Sequence, residues 1–253
     1  MEPDDINRLA EDRRHYLQDV LRMKTGDGLA LFDGCGNEYE GVIEHVSTAG
    51  MDVRIMSKRR LPADDGARVV LCQSVPKAGK MEFIIQKATE LGIDRIVPFL
   101  SVRSVSRPGN ERAAQKAVRW RKIAAEAARQ CGRADVPEVY DVVGFPEMLA
   151  LGKTADERII FWEEETKTGL HQVFSDRVKS KAHGFIVIVI GPEGGFAVDE
   201  VERAVAAGFR PVSLGRRVLK VETAAVAIIS IIQYETGGIG GIPEVYGESG
   251  DQS

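Results

Sequence analysis

The segment Phe185 to Ile190 carries no polar side chain, and it runs straight into Gly191-Pro-Glu-Gly-Gly195. Successive side chains of a strand point to opposite faces, so a strand that is apolar at every position is buried on both. A sheet buried on both faces is typically parallel, with helices packed on each side. The strand then ends in residues that no regular element favours. Ligands of open α/β sheets sit beyond the carboxyl ends of the strands, and glycine there lets main-chain N–H and C=O groups approach without an intervening Cβ. A tight strand-to-helix turn is the alternative reading, and locally the two stand level. The run is not GxGxxG and no Lys-Ser/Thr follows it, which argues against a dinucleotide or nucleoside triphosphate.

The rest of the chain supports an α/β reading after a different beginning. Residues 5–22 place Ile6, Leu9, Tyr16, Leu17, Val20 and Leu21 near helical spacing and are expected to be a helix. Short apolar runs separated by Asp33-Gly34, Gly36-Asn37 and similar turn pairs then predict a small antiparallel sheet or barrel ending near Arg60. The polar stretch Pro62 to Gly66 marks a boundary, giving expected domains at 1–66 and 67–236 with a loose Gly-rich tail at 237–253. In the second part, VVLCQSV, RIVPFL, RIIFW, GFIVIVI and PVSL read as strands. They alternate with helices predicted at Met81 to Leu91, Glu111 to Arg129 and Asp199 to Ala207. No apolar run approaches the roughly 20 residues of a membrane-spanning helix. Cys35, Cys72 and Cys131 lie far apart, which points to reduced thiols in the cytoplasm. The three lone cysteines and four scattered histidines offer no metal-ligand spacing.

The net charge of −4 argues mildly against a nucleic-acid partner, but its distribution argues the other way. Residues 71–135 carry 13 Lys/Arg against 6 Asp/Glu. A polyanion feels that local field more than the distant total, because salt screens charge beyond about 8 Å. The basic helix with Arg112, Lys116, Arg119, Arg121 and Lys122 is the better phosphate candidate, and Arg13, Arg14, Arg22 and Lys24 form a second set near the start. A solvated helix face is the plainer reading of the same charges.

Two further stretches bear on chemistry. In LGRRVLKVETAAVAIISIIQ, a strand ends at Leu214-Gly215, a short loop follows, and Glu222-Thr223 opens a helix that is apolar almost all round. Such a helix is covered on more than one side, by the core of its own subunit or by a partner subunit. In SVRSVSR, Arg103 lies just beyond the strand RIVPFL. A lone arginine there is commonly solvated or ion-paired; near an RNA it can hold a phosphate or a uracil carbonyl.

Taken with KMEFIIQKATELGIDRIVPF, WRKIAAEAARQCGRADVPEV and HYLQDVLRMKTGDGLALFDG, the pair IGPEGGF and LGRRVLKVETA resembles the bacterial 16S rRNA (uracil-N3)-methyltransferases of the SPOUT, or trefoil-knot, superfamily. The likeness extends to about Gln233. It implies a small N-terminal PUA-like β-barrel before a knotted, mostly parallel sheet flanked by helices. It implies S-adenosylmethionine as the methyl donor, a 16S rRNA substrate in the small ribosomal subunit, and a homodimer packed through the C-terminal helix. Main-chain contacts to that cofactor would come from Ile190, Gly191, Glu193, Gly194 and Gly195, and from Leu214, Gly215, Val218, Leu219 and Thr223. Arg103 is the first candidate for a catalytic cation, and Glu222 is a candidate base whose place at a helix start lowers its basicity. Three positions depart from the family pattern: Lys220 where arginine is usual, Val102 where an acid is common, and Ala197 where Ser or Thr caps a helix, with Asp199 the substitute cap. A related methyltransferase acting on another RNA base, or a non-catalytic RNA-binding assembly protein, are the competing functions.

Overall fold

The computed structural model describes residues 1–9, 16–47, 50–61, 66–77, 79–105, 109–175 and 184–241. It divides into two compact units, one of residues 1–63 with 124–137 and one of residues 64–123 with 138–253.

The first unit holds β1 (Ile6–Leu9), a single π-helical turn α1 (Tyr16–Val20), β2 (Gly28–Phe32), β3 (Asn37–Ser47) and β4 (Gly50–Arg60). They form a four-stranded antiparallel sheet in the order β1-β4-β3-β2. The helix expected over 5–22 is therefore replaced at its start by a strand. Ile6 pairs with Arg54 and Leu9 with Met51, and Leu9 is buried among Ile43, Met51 and Val53. Four residues are too few for periodicity to separate helix from strand, and the long neighbouring strand decides. Arg13 and Arg14 lie outside the described residues; Arg22 and Lys24 are exposed. Between β2 and β3, the Asp33 carboxylate accepts from the Cys35 and Asn37 N–H groups at 2.7 and 3.2 Å and from the Tyr39 hydroxyl at 3.0 Å. This side chain closes the turn that Gly34 and Gly36 enter with φ of 76° and 90°.

The second unit is built on a seven-stranded sheet. Its strands are β5 (Arg68–Ser74), β6 (Arg95–Leu100), β7 (Glu138–Val139), β8 (Val143–Gly144), β9 (Glu157–Phe161), β10 (Phe185–Ile190) and β11 (Arg210–Val212). The order is β11-β9-β10-β5-β6-β7, with β8 also on β6, and every pairing is parallel. The apolar run is thus a central strand. Val187 and Val189 pack with Val70, Cys72, Val97 and Ile160 on one face, while Ile186 and Ile188 are fully buried on the other.

Helices α2 (Lys80–Glu90), α3 (Asn110–Cys131), α4 (Phe145–Leu151), α5 (Leu170–Ser175), α6 (Val198–Ala206) and α7 (Val221–Thr236), with a single 3-10 turn at Gly152–Thr154, complete the described elements. The first Val-lined face takes Met148 from α4 and Val201 and Ala204 from α6. Among the helices, α2 packs on α7, and α7 reaches β10. Within α7, Ala225, Ile228, Ile229 and Ile232 are buried but Ile231 and Tyr234 are exposed, so the chain itself covers one side of this helix. Truncating a fully buried residue such as Ile188 to alanine costs about 2–5 kcal/mol. Among the described residues, no helix is long and apolar enough to cross a membrane.

Candidate functional site

Because β5, β9, β10 and β11 are parallel neighbours, their carboxyl ends open on one edge of the sheet. A cavity of about 840 Å³ lies there. It is lined by Lys80 at the start of α2, the stretch from Phe161 at the end of β9 to Gly169 with Gln172 of α5, the turn after β10, the loop between β11 and α7, and Val221, Ala224 and Ile228 of α7.

The turn after β10 has a separate reason for each glycine. A Cβ on Gly191 would come 3.1 Å from the ring of Phe196, which is fully buried and stacked on Phe99. Gly195 has φ of 65° and donates its N–H to the Pro192 carbonyl at 3.0 Å. A Cβ there would fall 1.7 Å from Oε1 of Glu163. The Gln73 side chain, fully buried, donates to the carbonyl oxygens of Ile190 and Gly191 at 3.4 and 3.3 Å and holds the end of β10. Opposite, Gly215 enters its loop with φ of 100° and its N–H donates to Ser213 Oγ at 3.2 Å.

Charge in the site is arranged around Lys80. Its Nζ lies 3.0 Å from Glu193 Oε1 and 3.4 Å from Glu222 Oε2, tying the turn after β10 to the first turn of α7. The second contact is at ion-pair distance only, and Glu222 Oε2 is buried without a hydrogen bond to any described residue. Partial burial pushes the Glu193 carboxyl up, but donors from its own N–H, Lys80 and the Lys77 N–H outweigh this and leave it below the ordinary range. The Glu222 carboxyl is likewise lowered, first by its own backbone N–H and then by Lys80 and Lys220. The Lys80 ammonium is raised, chiefly by its hydrogen bond to Glu193.

Arg103 stands beside this turn. Its Nη1 donates to the Gly194 carbonyl at 2.9 Å. Its loop is shaped by buried hydroxyls: Ser74 Oγ lies 2.9 Å from Ser104 Oγ, which also accepts the Ser101 N–H at 3.0 Å.

Of the residues singled out in the sequence, Ile190, Gly191, Glu193, Gly195, Leu214, Gly215, Val218 and Leu219 all line the cavity. Gly194, Glu222 and Thr223 stand on the same segments without forming its wall, and Arg103 reaches the turn after β10 from the loop after β6. Arg112 and Lys122 are exposed on α3, Lys116 is half-buried, and Arg119 is bound to Glu82 at 2.8 Å. Ala197 has no capping side chain; Glu200, not Asp199, accepts its N–H at 3.1 Å. Sequence reasoning passed over Lys80, Glu163 and Trp162. The indole N–H of Trp162 is buried in the cavity wall with no hydrogen-bond partner among the described residues. The cue for the last two is their place in WEEET, at the end of a strand predicted to be buried. Lys80 gives no local cue.

A family model described as RNA methyltransferase domain matches residues 64–233, and one described as RNA methyltransferase PUA domain matches residues 9–56. The chain belongs to this RNA methyltransferase family. Ribosomal RNA small subunit methyltransferase E of Bacillus subtilis is 36% identical over 227 residues, covering 88% of this chain and 87% of that protein. A methyltransferase from Legionella pneumophila, solved with bound SAM, matches with a TM-score of 0.81 and 31% identity over 92% of this chain and 93% of that one. The corresponding enzyme of Neisseria gonorrhoeae, bound to S-adenosyl methionine, matches at 0.79 and 29% identity, again over 92% and 93%. The fold is that of this SPOUT family: a parallel sheet flanked by helices, preceded by a small antiparallel PUA-like unit.

Proposed function

We propose that this protein transfers a methyl group from S-adenosylmethionine to N3 of a uridine in the 16S rRNA of the small ribosomal subunit, in the cytoplasm. The observation that carries this reading is that two glycine-bearing segments, Gly191–Gly195 and Leu214–Leu219, face one cavity with the Arg103 guanidinium fastened beside them.

The residues present fit the cofactor. Gly191, Gly195 and Gly215 line the cavity, and their main-chain groups would be the ones to meet the cofactor's adenine. The unpartnered Trp162 N–H offers a donor within the wall. Glu163 makes no hydrogen bond or ion pair with another described residue, and its carboxylate complements a cationic ligand. When bound, the cofactor supplies an electrophilic methyl carbon on a sulfonium. The chain's own residues meet the other half of the reaction. Uridine N3 carries a proton at neutral pH, and its loss spreads negative charge onto O2 and O4. Arg103 spends one donor on Gly194 and keeps the rest of its fork for that charge. Glu222, held as the counter-ion of Lys80, stays ionised at neutral pH and is a poor proton acceptor. The N3 proton then passes to water, and catalysis rests on alignment and on the cation.

The exposed Arg112 and Lys122 of α3, with Arg22 and Lys24 of the first unit, supply phosphate contacts. The uncovered Ile231 and Tyr234 of α7 support pairing with a second copy, which light scattering of Ile231→Glu/Tyr234→Glu tests. The activity is tested with labelled cofactor and small subunits purified from an unmethylated strain, followed by nucleoside analysis. Labelled 3-methyluridine is expected, with Arg103→Ala about 100-fold slower. Label in another nucleoside, or none, overturns the reading.

A further inference from the structure

The loop between β11 and α7 does more than wall the cavity. It places Arg216, Arg217 and Lys220 there, with Lys167 across from them. Each of the cavity's lysines is engaged electrostatically by an acid. Lys80 holds Glu193 and Glu222; Lys220 acts on Glu222 and Lys167 on Glu165. Arg216 and Arg217 make no hydrogen bond or ion pair with another described residue, and both are exposed. Next to them, Val218 is 91% exposed, an apolar side chain held in water at the mouth of a cavity. The loop is anchored at both ends, by Gly215 on Ser213 and by the Lys220 carbonyl, which accepts the Ala224 N–H at 2.8 Å.

We propose that Arg216 and Arg217 form a phosphate clamp on the RNA strand flanking the methylated nucleotide, with Val218 packed against its sugar or base. This rests on the methyltransferase reading above. A base that reaches a cofactor in this cavity brings its flanking phosphates to the cavity mouth. Two guanidiniums with no acid among the described residues to neutralise them match that charge, and their planar forks suit phosphate oxygens. The basic helix α3 is a weaker competitor, because Arg119 is spent on Glu82 and Arg121 on Asp141 and the Val139 carbonyl.

The test compares the full-length protein with Arg216→Ala/Arg217→Ala and Arg216→Lys/Arg217→Lys. Binding to unmethylated small ribosomal subunits is measured from 50 to 200 mM KCl, and S-adenosylmethionine binding by calorimetry. Loss of two single-strand phosphate contacts lowers the slope of log K against log salt by about 1.4. Across that fourfold range the wild type then loses about sevenfold more affinity than the alanine variant. The lysine variant keeps the slope, and all three bind the cofactor within about twofold. An unchanged slope in the alanine variant overturns the clamp. So does a tenfold loss of cofactor affinity in that variant, which would assign the arginines to the cofactor's carboxylate. Failure of the wild type to bind the cofactor sinks the methyltransferase reading instead, and the salt slopes still judge the clamp.

Discussion

The Val102 N–H donates to the Glu200 carboxylate at 2.8 Å, joining two residues 98 positions apart. The other oxygen of the same carboxylate accepts the Ala197 N–H at 3.1 Å, and Glu200 is fully buried. One acid therefore caps α6 and fixes the loop that presents Arg103. Ala197 can stand where a capping hydroxyl is usual because the cap comes from inside the helix.

Glu200→Ala is expected to destabilise the protein by about 2–4 kcal/mol, since it leaves two N–H groups without their acceptor. Urea unfolding measures this. Glu200→Gln keeps one acceptor oxygen but turns an NH2 toward the second N–H. It should lose less stability and still slow methylation, because the Arg103 loop shifts. A Glu200→Gln variant with wild-type turnover would show that the carboxylate does nothing for Arg103.

Gly195→Ala faces two obstacles at once, a φ of 65° and a Cβ position 1.7 Å from Glu163 Oε1. The backbone strain alone is of order 1 kcal/mol, and Glu163 must also leave its place. Calorimetry should show S-adenosylmethionine binding weakened at least tenfold, with the melting temperature lowered only a few degrees. Cofactor binding equal to wild type would remove Glu163 and this turn from the cofactor site.

The sheet and the two glycine-bearing segments were legible because burial on both faces forces an unbroken apolar run, and bare backbone at a strand end stands out from it. The pairing of Ile6 to Leu9 with β4 was not, since a four-residue strand has no period of its own. Nor were the links that assemble the site. Glu200 to Val102 and Lys80 to Glu193 each join segments about a hundred residues apart, and a charge at a helix start looks the same whether it meets water or a partner. Short strands such as Val143–Gly144 and the helix Phe145–Leu151 escaped for a similar reason, being set by packing more than by local pattern.

Acid sensitivity in the first unit should trace to Asp33. Burial works to raise its carboxyl, but hydrogen bonds from Asn37, Cys35 and Tyr39 bring it from 3.8 to about 2. A lowered folded value contributes stability that is present above 3.8 and lost as pH falls toward 2. Asp33→Asn should therefore be less stable than wild type at pH 6, and the gap should close toward pH 2. Urea midpoints across that range check it; a constant gap would mean the carboxylate's charge contributes nothing.

Lys80 gives the sharpest electrostatic test, because it alone among the cavity's lysines is bound to both ends of the site. The Glu193 and Glu222 carboxyls are lowered from 4.5, so their contribution is complete above that value and fades as pH falls below it. The Lys80 ammonium is raised from 10.5, so its contribution persists through neutral pH and is lost only above that value. Between about pH 5 and 10 the triad is therefore constant in the wild type. In Lys80→Met the two carboxylates lose the cation that bridges them, the turn after β10 is pushed from the start of α7, and cofactor affinity should fall about fivefold at pH 7.5, roughly 1 kcal/mol. Well below pH 4.5 the carboxylates of the variant protonate, their repulsion fades, and part of that affinity should return. Lys80→Arg should bind normally at both. A Lys80→Met defect of the same size at both pH values would mean that the lysine acts by packing, and that the charge linking the two segments is incidental.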